Sequence, residues 1–394
     1  MNLAYAHVRA CAQTTLYQAL QETLDARRTL ERAIAIQQVP APTFAEARRA
    51  EVVCNYFQAL GLQDVRQDDL YNVVGRWPGT EPGQPAVLVT AHLDTVFAPD
   101  VDLAVRKFAG RVRGAGLGDN SLGVAALIGL AEALTARQLH LPADIWFAAT
   151  SREEGLGNLD GVRAVWEVLG EHLGAAIVVE GMALGRIYHA GIAVRRLRIV
   201  CRAPGGHSWL HFGQPSAVHG VVAVGHEILS LVPPSVPRTT YNIGLISGGH
   251  SVNSLATEAE LCLDLRSEDA ATLRDFEREV QACVDRVART PGLTFRVEVV
   301  GDRPAGAIEQ GHPLVQLAAA ALEAVGISPT YERGSTDANF LLAVGLPAVT
   351  IGISHGGNAH RPDEFIETGP VSAGLKQLAL LTLAVATWDF GAGR

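Results

Sequence analysis

The 394-residue sequence has few cysteines and few charged residues, and both shortages limit what the protein can be. Its five cysteines are an odd number at wide spacings with no CxxC pair, which argues against a disulfide framework and against cysteine-ligated zinc. Charged residues make up 19% of the chain, the net charge is −9, and no basic stretch is present. Nucleic acid and anionic membrane surfaces are therefore excluded as expected partners.

The sequence also predicts neither a targeting signal nor a membrane-spanning segment. The N-terminal segment MNLAYAHVRACAQTT has no positive region followed by an unbroken apolar one, so it does not resemble a signal peptide. The segment LALLTLAVATWDF near the other end is too short to span a bilayer. We therefore expect no membrane association and a cytoplasmic location. The length of 394 residues and the hydrophobic content of 48% predict a globular protein with two domains.

The hydrophobic pattern changes twice along the chain. Up to about residue 190, apolar strands such as PAVLVTAHLD alternate with helical patterns such as GVAALIGLAEALTARQL, and this style returns near the end. It predicts an α/β fold, a doubly wound, mostly parallel sheet with helices on both faces. Between residues 190 and 303 the order is strand, helix, strand, strand, helix, strand, which is the ferredoxin-like α+β pattern. We predict one domain of residues 1–189 and 304–394, interrupted by an inserted domain of residues 190–303.

Polar residues recur at the carboxyl ends of the predicted parallel strands, the edge where open α/β sheets bind ligands. His92 and Asp94 follow AVLVT on one face of the strand, while Leu93 turns into the sheet. Each such residue has a structural explanation of its own, as a helix cap, a turn acid or a loop histidine, but their recurrence at one edge favours a shared site. The other candidates are Asp119 in GAGLGDNSLG, Glu153 and Glu154 after IWFAATSR, Glu180 after AAIVV, and His360 after the last apolar strand.

The glycine-rich segment GAGLGDNSLG fails to match two other functional motifs. A dinucleotide loop needs GxGxxG, but the sixth position is Asp119 when counted from Gly114 and Ser121 when counted from Gly116. A serine nucleophile elbow needs GxSxG, and Asp119 occupies the place of its first glycine. Neither a dinucleotide site nor a serine nucleophile is therefore predicted here.

Two imidazoles and several carboxylates without a thiolate suit two divalent metal ions, with zinc expected first and manganese or cobalt as alternatives. Three carboxylates against two such ions leave one positive charge, which favours a metal-bridging hydroxide and stabilises an oxyanion. Glu153, beside a ligand but not needed as one, is the predicted general base, and Asp94 is predicted to accept a hydrogen bond from the second nitrogen of His92. The predicted ligands are His92, Asp119, Glu154, Glu180 and His360.

Seven motifs, in this order, resemble the aminoacylase and glutamate-carboxypeptidase family of di-zinc metallopeptidases, which includes peptidase T, acetylornithine deacetylase and succinyl-diaminopimelate desuccinylase. They are AHLDTVF, GLGDNSLGVAAL, TSREEGLGN, VVEG, PGGHSW, GSTDANF and GGNAHRPDEFI. The resemblance implies that His92 and Glu180 bind one metal, that Asp119 bridges, and that Glu154 and His360 bind the other. It also implies a general-base role for Glu153, a cis peptide between Asp119 and Asn120, and a lid and dimerisation role for the inserted domain.

The resemblance assigns substrate contacts as well, several of which have structural alternatives. It implies that His207 in APGGHSW stabilises the oxyanion, often from the other subunit of a homodimer, although a histidine on a glycine-rich loop can also simply be exposed. Asn253 and Arg266 match positions that contact substrate polar groups or a carboxylate, and Arg266 also suits a structural salt bridge. The other implied substrate contacts are Ser335, Asp337 and Gly357, of which Ser335 and Asp337, with Thr336, equally suit a cap on the following helix.

The resemblance implies an enzyme that cleaves an amide bond in small peptides or N-acylated amino acids. Glu180 is the carboxylate found in the deacylase and carboxypeptidase-like branches, whereas GSTDAN resembles peptidase T, so both substrate classes stay open. The alternative is a non-catalytic, metal-dependent peptide-binding or regulatory protein on the same fold. Such a protein would normally have lost a ligand or the base, and none is missing from this sequence.

Overall fold

The computed structural model describes residues 2–390, which divide into two compact units. The first unit runs to Gly191 and resumes at Gly306, and the second is Ile192–Ala305. The helices are α1 (Leu3–Ala12), α2 (Thr15–Thr23), α3 (Ala26–Gln37), α4 (Ala47–Ala59), α5 (Leu122–Ala136), α6 (Asp160–Leu169), α7 (Ala217–Leu229), α8 (Ala270–Val287), α9 (Pro313–Ala324), α10 (Ala338–Ala343) and α11 (Val371–Ala386).

The strands are mostly short, and the long ones belong to two sheets. They are β1 (Gln63–Gln67), β2 (Val73–Trp77), β3 (Ala86–His92), β4 (Arg106–Phe108), β5 (Arg111–Arg113), β6 (Ile145–Thr150), β7 (Leu173–Glu180), β8 (Arg186–Gly191), β9 (Ala193–Arg202), β10 (Gly206–His207), β11 (Thr239–Gly248), β12 (Ser254–Leu255), β13 (Glu258–Ser267), β14 (Thr294–Arg303), β15 (Gly306–Ala307), β16 (Thr330–Gly334), β17 (Ala348–Gly352), β18 (Gly356–Gly357) and β19 (Phe365–Glu367).

The main sheet of the first unit has the strand order β1-β2-β6-β3-β7-β17-β8-β15, with β16 beside β8. Its centre is parallel, because β3 pairs in parallel with both β6 and β7, and β7 with β17. The antiparallel strands lie towards the edges, where β1 pairs with β2 and β2 with β6. The parallel centre brings the carboxyl ends of β6, β3, β7 and β17 to one edge.

Strand β3 shows why helices cover both faces of this sheet. All seven of its residues are buried, and five of them are apolar. Val87 and Val89 face one hydrophobic cluster, built with α1 to α5, α9 and α11, while Leu88 faces a second cluster, built with α6 and α10. The predicted doubly wound, mostly parallel α/β fold is confirmed.

The second unit contains an antiparallel sheet with the strand order β11-β13-β9-β14. Side chains alternate along β13, and Leu261, Leu263 and Leu265 are buried with apolar residues of α7 and α8. The other face of the sheet carries cross-strand pairs of arginines with acids. Strand order and connections are those of the predicted ferredoxin-like insert.

The structure contains helices and strands that the sequence does not predict. Helices α1 to α3 pack on the main sheet, and strands β4, β5, β18 and β19 form a small separate sheet. One helical stretch, Leu117–Ala136, has the length and hydropathy to cross a membrane, and 89% of its most apolar window is buried inside the fold. All five cysteines are free thiols, as the wide spacing predicts.

Candidate active site

The parallel pairing of β3 with β6 and β7 places the predicted site residues at one edge of the sheet. His92, the last residue of β3, lies opposite Thr150, the last residue of β6. Four residues after Thr150 comes Glu154, and Glu180 ends the neighbouring strand β7. Residues separated by about sixty positions in the chain are therefore neighbours because of strand pairing.

The five predicted metal ligands converge in two halves that share Asp119. One carboxylate oxygen of Asp119, Oδ1, lies 3.0 Å from His92 Nε2, and the other, Oδ2, lies 3.3 Å from His360 Nε2. Glu180 Oε2 lies 3.7 Å from His92 Nε2, on the first half. Glu154 Oε1 lies 3.2 Å from His360 Nε2, on the second half. Each half thus contains one imidazole and one carboxylate of its own.

These spacings fit divalent metal ions. Ligand atoms of His92, Asp119 and Glu154 lie within 4.8 Å of one another. A tetrahedral ion with ligands at about 2.0–2.2 Å holds them about 3.4 Å apart, close to the contacts of each half. Three carboxylates, of which Glu154 is 9% exposed and Glu180 is 17% exposed, would repel one another strongly without a cation. The donor set therefore fits a metal site.

The mutual contacts shift the pKa values of this cluster in opposite directions. Burial raises the pKa of Glu180 to about 7. Burial would also raise the pKa of Asp119, but its hydrogen bonds with His360 and His92 hold that pKa below its usual value. The carboxylates of Asp119 and Glu154 raise the pKa of His360 to about 10. In the metal-free protein the cluster therefore holds protons where it would otherwise hold cations.

The structure gives Asp94 a wider role than the sequence predicts. His92 Nδ1 lies 3.1 Å from the backbone oxygen of Asp94 and 3.5 Å from its carboxylate, so the predicted contact is the longer of the two. The carboxylate accepts the backbone N–H groups of Glu153 at 2.9 Å and Glu154 at 2.8 Å, and the Thr43 hydroxyl at 2.8 Å. Asp94 therefore fixes the backbone that carries both the predicted base and a predicted ligand.

The charge of this buried Asp94 is maintained by its donors. Burial alone would raise its pKa, but hydrogen bonding and the charge of His92, with the N–H groups of Glu154 and Glu153, hold the pKa below its usual value. Glu153 itself is 5% exposed, and it is joined to this network through its backbone. The predicted base therefore extends from a fixed segment of main chain.

Two further side chains hold Asp119 and Glu180, and the sequence did not predict the contacts of either. The peptide between Asp119 and Asn120 is cis, as the family resemblance implies. The Asn120 side chain donates to the Val179 oxygen at 2.8 Å and accepts from Gly181 N–H at 2.9 Å. It therefore binds the backbone of the residues on each side of Glu180.

Glu364 is the second missed residue. It is fully buried and accepts the backbone N–H groups of Gly118 at 2.7 Å and Asp119 at 3.0 Å. Burial raises the pKa of Glu364 to about 8. A signal for it was available, since an acid lies beside the apolar pair Phe365 and Ile366 within the GGNAHRPDEFI motif.

Three predicted substrate contacts lie in the second unit, where each has a hydrogen-bond partner in the same unit. His207 is exposed at the end of β10, and its Nδ1 accepts the Trp209 N–H at 3.2 Å. Asn253 is exposed, and its side-chain oxygen accepts the Ser251 hydroxyl at 2.6 Å. Arg266 donates to Asp264 at 2.6 Å, which is the salt bridge that the sequence analysis gives as its structural alternative.

The GSTDAN segment packs into the first unit. Asp337 is 1% exposed, and its carboxylate accepts the Thr150 hydroxyl at 2.6 Å at the end of β6. The cap on α10 comes from the Thr336 hydroxyl, which accepts the Ala338 N–H at 3.2 Å, while the Asp337 side chain makes no cap hydrogen bond. The other two predicted contacts are half-buried: Ser335 beside this cap, and Gly357 in β18 opposite Phe365.

Comparison with known proteins identifies the family. Residues 88–386 match the sequence profile of Peptidase family M20/M25/M40. The chain belongs to this family. The family resemblance of the seven motifs is confirmed. The predicted class of protein, a metallopeptidase or amidohydrolase, is confirmed as well.

Relatives of this M20 chain include enzymes of both substrate classes. A Mycobacterium tuberculosis protein with the provisional name succinyl-diaminopimelate desuccinylase DapE is 28% identical over 89% of this chain and 96% of its own length. Peptidase T of Aeromonas hydrophila is 25% identical over 86% of this chain and 91% of its own. The structure of the di-peptidase Dug1p from Saccharomyces cerevisiae covers 99% of this chain and 100% of its own with a TM-score of 0.75 at 14% identity, which shows a shared fold.

Proposed function

We propose that this M20 chain hydrolyses an amide bond in small peptides or N-acylated amino acids with the help of two divalent metal ions, zinc first and manganese or cobalt as alternatives. The observation that carries the proposal is the position of Asp119, which presents one carboxylate oxygen to each of two histidines. The names of the relatives, a desuccinylase and a peptidase T, support the two substrate classes.

In this proposal the two halves of the cluster hold one ion each. His92 and Glu180 would hold the first, Glu154 and His360 would hold the second, and Asp119 would be shared by both. When bound, the ions would supply an activated water at neutral pH, which is the role of the bridging hydroxide expected from the sequence, and would polarise the carbonyl group of the substrate.

Glu153 moves the proton. It accepts a proton from the attacking water and returns it to the leaving nitrogen, which needs a carboxylate held at a fixed distance from the reacting atoms. Asp94 contributes by accepting the N–H groups of Glu153 and Glu154, so the base and one ligand keep a constant spacing. Asp94 is thus a positioning residue in this proposal.

The remaining parts of the proposal concern the domains, the location and the substrate contacts. We assign catalysis to residues 1–189 and 304–394, a lid and dimerisation role to residues 190–303, and a cytoplasmic location to the protein. His207 stabilises the oxyanion from the other subunit, and Asn253 and Arg266 contact the substrate, as do Ser335, Asp337 and Gly357. These roles rest on the family resemblance.

The surface of the second unit supports a homodimer. Strand β11 is an edge strand, and Leu245 and Ile246 on it are 65% and 61% exposed. On α7, Val222 and Leu229 are 55% and 65% exposed. An apolar edge strand of this kind is normally paired or covered. Light scattering should give a dimer for the wild type and a monomer for Leu245→Lys, and a fully active wild-type monomer would contradict the proposal.

The function is tested by metal analysis paired with hydrolysis assays. The purified protein should contain up to two metal ions per chain, lose activity with a chelator and recover it with zinc. Assays on dipeptides, tripeptides, N-acetyl amino acids and N-succinyl amino acids should reveal one cleaved class. A fully metal-loaded protein that binds these compounds and cleaves none would instead establish the peptide-binding alternative.

A further inference from the structure

The residue before helix α4 holds the backbone beside the predicted base. Glu46 is fully buried, and its Oε1 accepts the backbone N–H of Phe44 at 3.1 Å and of Arg152 at 3.0 Å. Arg152 directly precedes Glu153 and Glu154 in the chain. Although Glu46 occupies the N-cap position of α4, its side chain makes no cap hydrogen bond to that helix. Its hydrogen bonds serve the loops outside the helix.

Arg49, on the first turn of α4, holds the backbone at the end of β3. It is 2% exposed, and its guanidinium donates to the Leu93 oxygen at 2.6 Å and to the Val39 oxygen at 2.9 and 2.7 Å. Leu93 lies between His92 and Asp94. One turn of one helix therefore contacts both strand ends that carry predicted site residues.

The backbone that Glu46 holds is in a conformation that needs support. Phe44 has φ of 75° and Arg152 has φ of 57°, so both non-glycine residues lie in the left-handed region. Such residues persist only where their surroundings enforce them. The two N–H groups that Glu46 accepts belong to these two residues. The carboxylate thus fixes the turn from which Glu153 and Glu154 extend.

A purely structural role explains these residues poorly. Burying a carboxylate and a guanidinium is costly, and apolar side chains of similar volume often give equal or greater stability. Glu46 Oε2 is also buried without a hydrogen-bond partner among residues 2–390. One oxygen of this carboxylate is therefore left without a partner, while the other is directed at the backbone of the site.

We propose that Glu46 and Arg49 are positioning residues, which act through the Arg152 N–H and the Leu93 carbonyl to hold the base and the metal ligands at a fixed spacing. The effect on turnover rests on the proposed function, whereas the effect on backbone order and on metal affinity does not. The acceptor oxygen of Glu46 matters in this proposal more than its charge.

The test uses Glu46→Leu, which removes the acceptor, and Glu46→Gln, which keeps it. The matched control is Asp144→Leu, because Asp144 accepts the Gly79 N–H at 2.6 Å at the opposite end of strand β6. Each variant is examined for kcat and KM, for metal affinity against a competing chelator, and for hydrogen exchange of the Arg152 amide in the metal-free protein.

For Glu46→Leu we expect kcat to fall by about tenfold to a hundredfold with KM within about twofold, and metal affinity to fall by about tenfold. Exchange of the Arg152 amide should accelerate severalfold. Glu46→Gln should stay near the wild type in all three measurements. Asp144→Leu should lose stability while kcat per metal-loaded enzyme and Arg152 exchange are unchanged.

The proposal is overturned if Glu46→Leu lowers only the free energy of unfolding, or if Glu46→Gln loses as much kcat as Glu46→Leu. If Glu46→Leu does not fold, Arg49→Lys replaces it, since one ammonium cannot reproduce the fork to Leu93 and Val39, and weaker metal affinity is again expected. If no substrate is cleaved at all, the proposed function fails, while amide exchange and metal affinity still decide the positioning role.

Discussion

Two sets of charged side chains, one in each unit, lie in opposite environments. In the first unit, Asp94 and Arg49 are buried and bond to the backbone of the site loops. In the second unit, charges pair across strands on an open sheet face, where Arg202 and Glu258 lie 2.8 Å apart with 65% and 53% of their side chains exposed. Charged residues of the same types thus bind the backbone of the site loops in one case and pair with each other at the surface in the other.

The difference concerns energy as much as location. An exposed pair contributes about 0–1 kcal/mol, because water and salt screen both charges. Removing one member of a buried network costs about 3–5 kcal/mol, because the remaining groups are left without partners. We therefore expect Asp94 and Arg49 to fix the backbone geometry of the site, and the pair of Arg202 and Glu258 to contribute little to stability.

The largest effect is expected at Glu153, the group proposed to move the proton. Glu153→Ala should lower kcat by about 10²–10⁴-fold, since general acid–base catalysis contributes this much. Metal content should be nearly unchanged, because the side chain is not a proposed ligand. Steady-state kinetics and metal analysis check both. The control is Glu167→Ala, an exposed position on α6, which should behave as the wild type. Retained turnover in Glu153→Ala would remove Glu153 from the mechanism.

Asp94 should show the largest effect on stability. Asp94→Ala leaves the N–H groups of Glu153 and Glu154 without their acceptor and reduces the compensation of the Arg49 charge. We expect a loss of about 3–5 kcal/mol in denaturant unfolding. In the second unit, Glu258→Ala should cost less than about 1 kcal/mol. Equal losses at the two positions would break the comparison between the units.

Metal binding should be linked to protons through His360. Because Asp119 and Glu154 raise the pKa of His360 from 6.5 to about 10, its contribution to stability is complete below pH 6.5 and is lost as the pH rises towards 10. An ion must displace this proton, so affinity should rise by about tenfold per pH unit between these values.

Titration calorimetry in two buffers of different ionisation enthalpy measures this release. His360→Gln should release about one proton fewer than the wild type. His140→Gln is the control, because His140 lies at the opposite end of the sheet and bonds the Pro78 oxygen. Metal binding without a proton difference between wild type and His360→Gln would show that His360 is not protonated in the metal-free site.

The smallest effect is expected for the exposed pair of the second unit. A double-mutant cycle with Arg202→Gln and Glu258→Gln should give a coupling energy below about 1 kcal/mol. The coupling should vanish in about 1 M salt, where charges are screened within about 3 Å. Turnover should be unaffected. A coupling that survives high salt would mean that this face of the sheet is not solvated as its exposure indicates.

The helices and strands of the fold could be predicted from the sequence where their hydrophobic pattern extends over many residues. Strand β3 is apolar at five of its seven positions, and the only polar side chains of helix α5 are Glu132 and Thr135, so both elements are predicted from their sequences. Strands β4 and β18, of three and two residues, are too short for any periodicity to appear. Pairing with distant strands forms them, and that information is not local.

Some residues of the candidate site could likewise be predicted from the sequence, and others could not. Residues that end buried strands, such as His92 and Glu180, could be found because a polar group after an apolar run is conspicuous. Glu46 could not, because its partners are backbone N–H groups, and the sequence does not show which backbone groups lie nearby. Nothing in the sequence around Glu46 distinguishes it from an ordinary surface acid near a helix start.

The amino-acid sequence by itself determined which side chains gather at the edge of the sheet, since strand ends, alternation and helix spacing follow from local hydrophobic order. Only the tertiary structure decided how they are held. The carboxylate of Asp94 accepts from Glu153 and Glu154 because parallel pairing sets β3 beside β6, about sixty residues further along the chain. Periodicity fixes the face on which a side chain lies, whereas its hydrogen-bond partners depend on which strand folds next to it.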